Sequence, residues 1–598
     1  MFGLRCHVAL FLLTLLPYLL GVSAASAQAA RFLRFTSERQ GNTLTLAANG
    51  QAVMRLKSGL ISSGRLEQLA TSLNTLALKG LKAGQVEIKS NGATSPVRIV
   101  VAGTVLLEVD AALAKSLQST PLALAQSWAE NLRAALAQPY IVIDPADRLK
   151  VPLGEQRGIR WGGTASSDLS FSAENPATAD VELDPSGTSL IVRGAGVGST
   201  KVTAVLEDQQ WTLPVDVKAW AARVPKATVA EVTSPPLPPD DLRRTVRNAV
   251  LADLKPAPGA TVELGEPQRS EGGYAVNVSA SGPECFSVSA TVRVDLKTVL
   301  GGKHEPQQLL VSNSPERIAE PATLLRERLV GQAPVRLLWH HVNCAKRPMR
   351  FVVRIANLGD TEAKVHVTDA ATGPHDDEIH VGHSAMMRFL ALRAQGEGYY
   401  LRVPAGRLLD LYDVRIPADR IVSGLSTLTP TTGNNLMLEV VAEDVWPTDA
   451  YFAPAPARMY VDPPLTPYGF EASKTVELEH SAGSGWTFYH IGKEYSVNLQ
   501  GQKLFGDYGV DYTIRGTFKN PTDKPARCEI ALRAAGGVAR SSFMLNGVLD
   551  ETGLLRGDSE QLIYKIELRA GEQKTVSLTT MPESGSNYPI TLTMRSWQ

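Results

Sequence analysis

One stretch of this sequence decides the fold class, because it contains two strand-like runs separated by a glycine-rich turn: Ile191-Val192-Arg193-Gly194-Ala195-Gly196-Val197-Gly198-Ser199-Thr200-Lys201-Val202-Thr203-Ala204-Val205. Valine, isoleucine and threonine are enriched in strands, and glycine accepts the positive φ angles of a tight turn. The pattern predicts that the two runs pair across the turn as a β-hairpin. We therefore expect an all-β domain around this stretch.

The residues just before this stretch add one more turn and one more strand: Glu174-Asn175-Pro176-Ala177-Thr178-Ala179-Asp180-Val181-Glu182-Leu183. With this addition, residues 139–222 resemble a bacterial Ig-like domain of the intimin type, and also the similar N-terminal domain of pilus-assembly secretins. The resemblance implies a β-sandwich that serves as a spacer, an adhesion unit or a docking domain.

Residues 28–138, ahead of this domain, combine helical and strand patterns. Apolar residues recur at helical spacing between Leu66 and Leu76, and Thr120 followed by proline marks the start of a second helix. The pattern of Glu108–Ala111 followed by a helix around Gln126–Ala129 resembles a small module near the N-termini of other exported bacterial envelope proteins. We therefore predict a small α/β module here.

The first 27 residues have the three parts of an export signal. Arg5 supplies a positive charge, Val8–Leu20 is largely apolar, and Ala25-Ser26-Ala27 places small residues before a cleaved bond. The apolar run is shorter than the roughly 20 residues that a membrane span needs. We predict cleavage before Gln28, export to the periplasm, surface or exterior of a bacterium, and no transmembrane span afterwards. An uncleaved N-terminal anchor is the alternative.

Charge and cysteine content narrow the class further. The chain has 60 Lys and Arg against 60 Asp and Glu, without a basic cluster, so no nucleic-acid partner is predicted. Cys285, Cys344 and Cys528 remain after removal of the leader, which is too few for a disulfide scaffold. The first two could form a bridge, and the low count favours a bacterial protein over a eukaryotic secreted one.

The middle of the chain changes character at a proline-rich stretch. Ser234–Pro239 predicts a stiff connector at the end of a linker over residues 223–239. Residues 240–332 are predicted to form a second small α/β unit. Its helices are predicted over Asp240–Leu254 and from Ser314 to about Leu329, with strands between them.

An internal repeat indicates two β-sandwiches, over residues 333–445 and 471–598. Asn357–Val367 aligns with Asn520–Ile530, and each follows an alternating strand. A strand, a turn that begins with asparagine and a returning strand predict a hairpin in each sandwich. Gly382 is predicted to be a turn glycine ahead of a further strand.

Residues 446–470, between these sandwiches, are rich in proline and aromatic side chains, which predicts an extended linker. Taken together, the patterns predict a multi-domain, mainly β protein. It should contain Ig-like β-sandwiches, with two small α/β modules in its N-terminal half.

Histidine is the one residue type with metal-binding or catalytic chemistry that is clustered in the sequence. Six of the ten histidines lie between residues 340 and 383. Imidazole is the commonest metal ligand, and His341, His380 and His383 are the candidates for a metal site. His340 and His341 are neighbours in a predicted strand and point to opposite faces, so at most one of them joins any one site. No spacing matches a zinc or metalloprotease signature, so structural histidines are the other interpretation.

Motifs for catalysis are missing from the sequence. It has no nucleophile elbow, phosphate-binding loop or dinucleotide fingerprint, so neither catalytic residues nor a cofactor is predicted. Trp339, Trp446 and Trp486 could form a sugar-stacking platform, although aromatic residues of sandwiches more often belong to the core.

We therefore predict a non-enzymatic exported envelope or cell-surface protein with a modular scaffold, adhesion or assembly role. Its partner would be an envelope protein or a cell-wall glycan. Two alternatives remain at this stage. One is a secreted polysaccharide-active or metal-dependent enzyme with residues 333–445 as the active unit, and the other is a pilus or secretion accessory protein.

Overall fold

The computed structural model describes residues 29–90, 96–145, 147–165, 169–185, 189–233, 237–445, 451–452, 469–557 and 559–597. The predicted leader lies outside these residues, as do residues 234–236 and most of the predicted linker 446–470. Strands account for 54% of these described residues and helices for 14%, which confirms the predicted mainly β, multi-domain class. The chain divides into two compact units, Met1–Ala219 and Trp220–Gln598.

The first unit begins with an α/β module made of two three-stranded antiparallel sheets and three helices. The sheets comprise Phe35–Gln40, Thr43–Ala48 and Gln51–Lys57, and Val86–Lys89, Val97–Val101 and Thr104–Val109; the helices are α1 (Ser63–Leu78), α2 (Ala111–Ser116) and α3 (Pro121–Ala135). The predicted start of α3 is confirmed, because Thr120 Oγ1 accepts a hydrogen bond from the Ala123 N–H at 3.3 Å. The apolar faces of α1 and α3, including Leu66 and Trp128, lie in one core with the sheets.

A β-sandwich follows in the same unit, as predicted for the Ig-like region. One sheet has the order Arg31–Phe32, Tyr140–Asp144, Gln156–Gly163, Ser189–Gly194 and Ala179–Leu183. The other contains Ser170–Ala173, Gly198–Leu206 and Gln209–Trp220, with Leu149–Pro152 parallel to the last of these. The facing side chains, among them Val192, Val202 and Val215, form a core separate from that of the α/β module.

The glycine-rich turn of this sandwich does not join a hairpin, and that prediction is wrong. Ser189–Gly194 and Gly198–Leu206 lie in opposite sheets, so the turn carries the chain across the sandwich. A Cβ atom at Gly194 would lie 2.8 Å from the Pro152 carbonyl oxygen, and one at Gly196 would lie 2.6 Å from that of Ala177. These two glycines therefore permit close backbone approach, whereas Gly198 alone adopts a positive φ, of 153°.

The second unit is organised around one large mixed sheet. Its main order is Tyr451–Phe452, Thr261–Leu264, Gly273–Ser281, Val288–Thr298, Ala227–Val232, Tyr399–Val403, Ala363–His375, Ile421–Thr432, Val335–Asn343, Gln308–Ser312 and Gly469–Glu471, with Gln268–Ser270 and Arg317–Ile318 paired at its sides. Helix α4 (Pro239–Asp253) contributes Val246 and Val250 to the core against this sheet. The predicted first helix of this region is thus confirmed.

A four-stranded sheet covers one face of the large sheet. It comprises Ala322–Val330, Asn435–Asp444, Met349–Asn357 and Leu408–Ile416. The helix predicted from Ser314 to Leu329 is wrong, because Ala322–Val330 is a strand paired along Asn435–Asp444. Arg326 makes a 2.6 Å ion pair with Glu439 on that partner strand, and such cross-strand pairing overrides the helical propensity of Leu, Arg and Glu.

The C-terminal part of the second unit is a two-sheet sandwich. One sheet has the order Ser473–Ser481, Asp511–Lys519, Gln573–Thr580, Ser542–Leu545 and Val548–Glu551, and the other has Thr487–Ile491, Ile590–Trp597, Ala526–Ala534 and Glu560–Leu568. The remaining short strands of the unit are Ala222–Arg223, Lys255–Pro256, Cys285–Phe286, Ser496–Val497, Lys503–Leu504, Val538–Ala539 and Leu555–Arg556.

The central strand Val335–Asn343 is buried along its whole length and serves two cores. Leu337 and Trp339 point into the core beneath the four-stranded sheet. Leu338, on the opposite face, belongs to a second core that includes helix α5 (Glu378–Gln395) and the C-terminal sandwich. Both faces of this part of the large sheet are therefore covered.

Three buried asparagines at strand ends of the second unit make the same set of hydrogen bonds, which we call the asparagine corner. In each, Oδ1 accepts from the N–H two residues on, and Nδ2 donates to the carbonyl four residues on. The partners are Ala345 and Arg347 for Asn343 (2.9 and 2.9 Å), Gly359 and Thr361 for Asn357 (2.9 and 2.7 Å), and Thr522 and Lys524 for Asn520 (3.2 and 2.7 Å). Each Nδ2 also donates to a distant strand, at the carbonyl of Ile416, Val403 and Leu568 respectively.

The asparagine corner carries the chain from one sheet to the opposite one. Met349–Asn357 and Ala363–His375 lie in different sheets, and so do Asp511–Lys519 and Ala526–Ala534. The repeat seen in the sequence is therefore a shared turn, whereas the two predicted hairpins are wrong. Carbonyl groups buried at such a crossing have no ladder partner, and the asparagine amide supplies the donors they need.

Candidate functional site

Helix α5 lies where a turn glycine and a strand were predicted, and that prediction is wrong. Asp377 Oδ1 caps the helix by accepting a hydrogen bond from the His380 N–H at 2.9 Å. The buried face comprises Val381, Gly382, His383, Ala385, Met386, Phe389 and Leu390. The sequence does carry this signal, because apolar residues follow a capping aspartate at helical spacing.

Gly382 lies within this helix because its backbone presses against a loop of the C-terminal sandwich. A Cβ atom at Gly382 would collide with the carbonyl oxygen of Ser584, and one at Gly585 would collide with that of Glu378. The first turn of α5 is therefore docked, backbone against backbone, onto residues 583–585. This docking places His383, the next residue of α5, beside Glu583 of that loop.

His341 is fully buried on the face of its strand that points toward Phe351. Its Nδ1 donates to the Pro315 carbonyl at 3.0 Å, so Nε2 is the acceptor for the Ser312 hydroxyl at 2.9 Å. Burial, and the neighbouring His340, lower the pKa of His341 to about 3. Both ring nitrogens are used within the protein, and the ring is held in its neutral form.

His383, on α5, is held between two carboxylates. Its Nδ1 donates to Glu583 at 2.8 Å and its Nε2 donates to Glu551, so both nitrogens carry protons. Burial disfavours the charged ring, but the two glutamates outweigh it and hold the pKa of His383 above its ordinary value. Glu583 is 0% exposed and also accepts from the Ser542 N–H.

His380, by contrast, is exposed at the start of α5, where its ring lies tilted against that of His375 with centroids 4.9 Å apart. The three candidate ligands His341, His380 and His383 therefore lie in three separate environments. The enzyme alternative over residues 333–445 required these side chains to share one site, and the structure does not bring them together.

A different histidine meets two glutamates. His340 occupies the face of Val335–Asn343 opposite to His341, as the alternation of a strand predicts. Ligand-capable atoms of Glu316, His340 and Glu378 all lie within 4.8 Å of one another. His340 Nε2 is 3.6 Å from Glu378 Oε1, which is an ion-pair distance and too long for a hydrogen bond. His340 also holds the pKa of Glu378 below its usual value.

Sequence reasoning missed this group because its members are far apart in the chain. Glu316 lies in the region predicted as a helix, and Glu378 begins a helix that was predicted as a turn. The sequence shows that His340 and His341 point to opposite faces of a strand, but it does not show that His340 is the one that approaches carboxylates. The only local signal was the strand alternation, which separates the two histidines but does not say which one meets a carboxylate.

The three tryptophans considered for sugar stacking are placed differently from one another. Trp339 is a core residue with 0% exposure, packed on Gly424, and Trp446 lies outside the described residues. Trp486 is 57% exposed at the edge of the C-terminal sandwich. The core interpretation therefore holds for Trp339, whereas Trp486 lies at the surface and sugar stacking there stays a prediction.

Trp486 is part of a larger group that we call the aromatic strip, made of Trp486, Phe488, Arg595 and Trp597. Phe488 is 49% and Trp597 45% exposed, and both lie on adjacent paired strands. The Arg595 guanidinium lies 5.4 Å from the Trp486 ring centroid and 4.8 Å from that of Trp597. A 2.6 Å ion pair with Glu560 holds Arg595 in place.

The sequence left a disulfide bridge between Cys285 and Cys344 open, and it predicted no transmembrane span after the leader. Cys285, Cys344 and Cys528 are free thiols, so the bridge considered between the first two is not formed in this structure. Among the helices of the described ranges, none combines the length and apolar content needed to cross a bilayer.

No family model and no curated protein matches the chain. Domains 4 and 5 of the S-layer protein SbsC are 22% identical over 13% of this chain and 50% of that one, with a TM-score of 0.12. Domains 5–6 of the same S-layer protein are 13% identical over 26% and 96%, with a TM-score of 0.13. Fibronectin(III)-like modules of Clostridium thermocellum CbhA are 15% identical over 28% and 99%, with a TM-score of 0.13.

The chain spans half the length of the first of these structures. TM-scores this low carry no argument about function. The fold itself defines the class, which is a multi-domain, mainly β protein with Ig-like sandwiches.

Proposed function

We propose that this protein is an exported, non-enzymatic component of a bacterial cell envelope or surface. In this proposal it acts as a modular scaffold or adhesion protein and binds cell-wall glycan through the aromatic strip. The leader pattern of residues 1–27 supports export, and the Ig-like pattern of residues 139–222 supports a modular role. The observation that carries the binding function is the exposure of three aromatic rings, of which Trp486 and Trp597 lie against Arg595 and Phe488 lies against Trp486.

The chemistry of the aromatic strip suits a sugar better than an apolar partner. Sugar rings present apolar C–H faces that can stack on indole and phenyl rings, while their hydroxyl groups need polar partners alongside. Arg595 and Glu560 provide charged groups directly beside the rings. Adjacent exposed aromatic side chains mark interaction surfaces, because apolar residues that are scattered singly over a protein surface do not form a continuous patch.

Glycan binding is tested by cosedimentation of the full-length protein with purified cell-wall sacculi. Removal of both indole rings, with Trp486→Ala and Trp597→Ala together, is expected to weaken sedimentation by roughly tenfold or more, the cost of losing aromatic anchors at a contact surface. The matched control is Phe505→Ala, which removes an aromatic ring that is 67% exposed but lies outside the aromatic strip. This control should sediment like the wild-type protein.

Wild-type protein that stays in the supernatant would contradict glycan binding. Equal loss in the double variant and in Phe505→Ala would show that exposed aromatics act without regard to position, which would also contradict the aromatic strip as the site. Capture of an envelope protein that depends on Trp486 and Trp597, without binding to sacculi, would replace the glycan by a protein partner.

Export is tested separately by N-terminal sequencing of the protein recovered from a cell-envelope or culture fraction. We expect the mature chain to begin at Gln28, because the bond after Ala27 follows the small residues that signal peptidase requires. Recovery of the protein with Met1 in an envelope fraction would show an uncleaved anchor. Recovery only in the cytoplasmic fraction would contradict the proposed location.

A further inference from the structure

We propose that Glu316, His340 and Glu378 bind one divalent transition-metal ion, of which Zn²⁺ is the reference case. This site is distinct from the three histidines that the sequence suggested, and it is independent of glycan binding. It would join the segment before Arg317–Ile318, the central strand Val335–Asn343 and the first turn of α5.

The His340 ring is buried and has no hydrogen-bond partner among the described residues. His340 is only 4% exposed, yet neither Nδ1 nor Nε2 has a hydrogen-bond partner among the described residues. A buried imidazole without a hydrogen-bond partner costs free energy, and such groups in native proteins usually have a water or an ion as partner. By comparison, the buried rings of His341 and His383 use both of their nitrogens.

The ligand atoms of the three residues are spaced as a zinc ion requires. Ligands placed about 2.1 Å from a zinc ion lie roughly 3–4 Å from one another. The separation of 3.6 Å between His340 Nε2 and Glu378 Oε1 falls in this range, and the whole set lies within 4.8 Å. Because the side chains of both glutamates are exposed, small rotations can close the remaining distance without disturbing the core.

The backbone holds the three ligands near one another. The Glu316 carbonyl accepts a hydrogen bond from the Val342 N–H at 2.9 Å, which fixes Glu316 beside the strand that carries His340. The backbone of Gly585 lies against the Glu378 carbonyl and fixes the start of α5. The ligand positions are therefore set by paired backbone and not by a free loop.

Charge and composition of the site favour a divalent ion. Two carboxylates together with a neutral imidazole neutralise two positive charges, and one nitrogen with carboxylate oxygens suits zinc or manganese. The capping Asp377 and Glu378 also offset the positive end of the α5 dipole. The exposed side of the site leaves a coordination position for water.

The test is isothermal titration of the full-length, chelator-treated protein with Zn²⁺. We expect one equivalent to bind and the melting temperature to rise with bound zinc. Glu316→Gln and Glu378→Gln, at exposed positions that should not disturb folding, are each expected to weaken binding by more than about tenfold. The matched control Glu320→Gln, at an exposed glutamate four residues from Glu316, should bind like the wild-type protein.

Two further variants exclude other histidine groups. Glu551→Gln changes the His383 environment, and the double variant His375→Asn with His380→Asn removes the exposed ring pair, so both should retain wild-type affinity. The proposal is overturned if the folded wild-type protein binds no zinc. It is equally overturned if Glu316→Gln and Glu378→Gln bind as tightly as the wild type, or if Glu551→Gln or the double histidine variant abolishes binding.

Discussion

His383→Ala is expected to lower the free energy of unfolding by about 3–5 kcal/mol, the usual cost of removing one partner of a buried ion pair. The substitution leaves the carboxylate of Glu583 fully buried with only the Ser542 N–H as a donor. It also removes the links from α5 to Glu551 and Glu583 of the C-terminal sandwich, and it leaves the ion pair between Arg393 and Asp511 in place. Urea unfolding of the full-length variant, followed by circular dichroism, measures the change.

The matched control is His380→Ala, on the same helix and three residues away. His380 is exposed, and exposed substitutions usually change stability by no more than about 0.5 kcal/mol. In the sequence both residues lie beside the turn predicted at Gly382, and that pattern does not distinguish one from the other. Equal and small effects of the two substitutions would show that the His383–Glu583 pair contributes no stability.

The His383–Glu583 pair should also make the free energy of unfolding depend on pH. Because the pKa of His383 is raised in the folded state, its charged form contributes stability that is fully present below about pH 6.5, the ordinary histidine value. This contribution is lost as the pH rises through the higher folded-state pKa. The difference in stability between the wild type and His383→Ala should therefore be largest near pH 6 and should narrow toward pH 9. A difference that widens with pH would contradict a protonated His383.

The fold class was predictable because its signals are local. Runs of valine and threonine, the Thr120 cap and the repeated asparagine turn each lie within about a dozen residues, the range in which backbone propensity and turn chemistry act. The sheet to which each strand belongs was not predictable in this way. The turn around Gly196 and the turns after Asn357 and Asn520 look like hairpin turns in sequence, but each crosses between sheets.

The groups around His383 and His340 could not be predicted from the sequence for a related reason. Glu583 is 200 residues from His383, and Glu316 and Glu378 approach His340 from two other elements, so no spacing in the sequence records either group. The strand alternation of His340 and His341 was predictable, because it follows from backbone geometry alone. Helix α5 could also have been predicted from the sequence. Gly382 and two histidines interrupt its apolar pattern, however, and made the segment resemble a turn.

Asn520→Asp is expected to lower the free energy of unfolding by about 3–5 kcal/mol at neutral pH, comparable to leaving a buried charge unpaired. The Asn520 amide donates to the carbonyls of Lys524, Leu568 and Arg569 at 2.7, 3.2 and 2.9 Å. An aspartate has the same shape but turns a carboxylate toward these three oxygens. The side chain is 1% exposed, so water cannot relieve the repulsion.

A control variant and a change of pH show whether the loss of stability comes from the buried carboxylate. Asn277→Asp is the matched control, because Asn277 is exposed and its Oδ1 accepts from Thr291, a role that a carboxylate keeps; its effect should stay within about 0.5 kcal/mol. Lowering the pH should partly restore Asn520→Asp, because a protonated carboxyl group can donate to one of the carbonyls. Urea unfolding of both variants at pH 7 and pH 5 measures this. A stability loss in Asn520→Asp that does not shrink at the lower pH would mean that the asparagine corner does not depend on its amide donors.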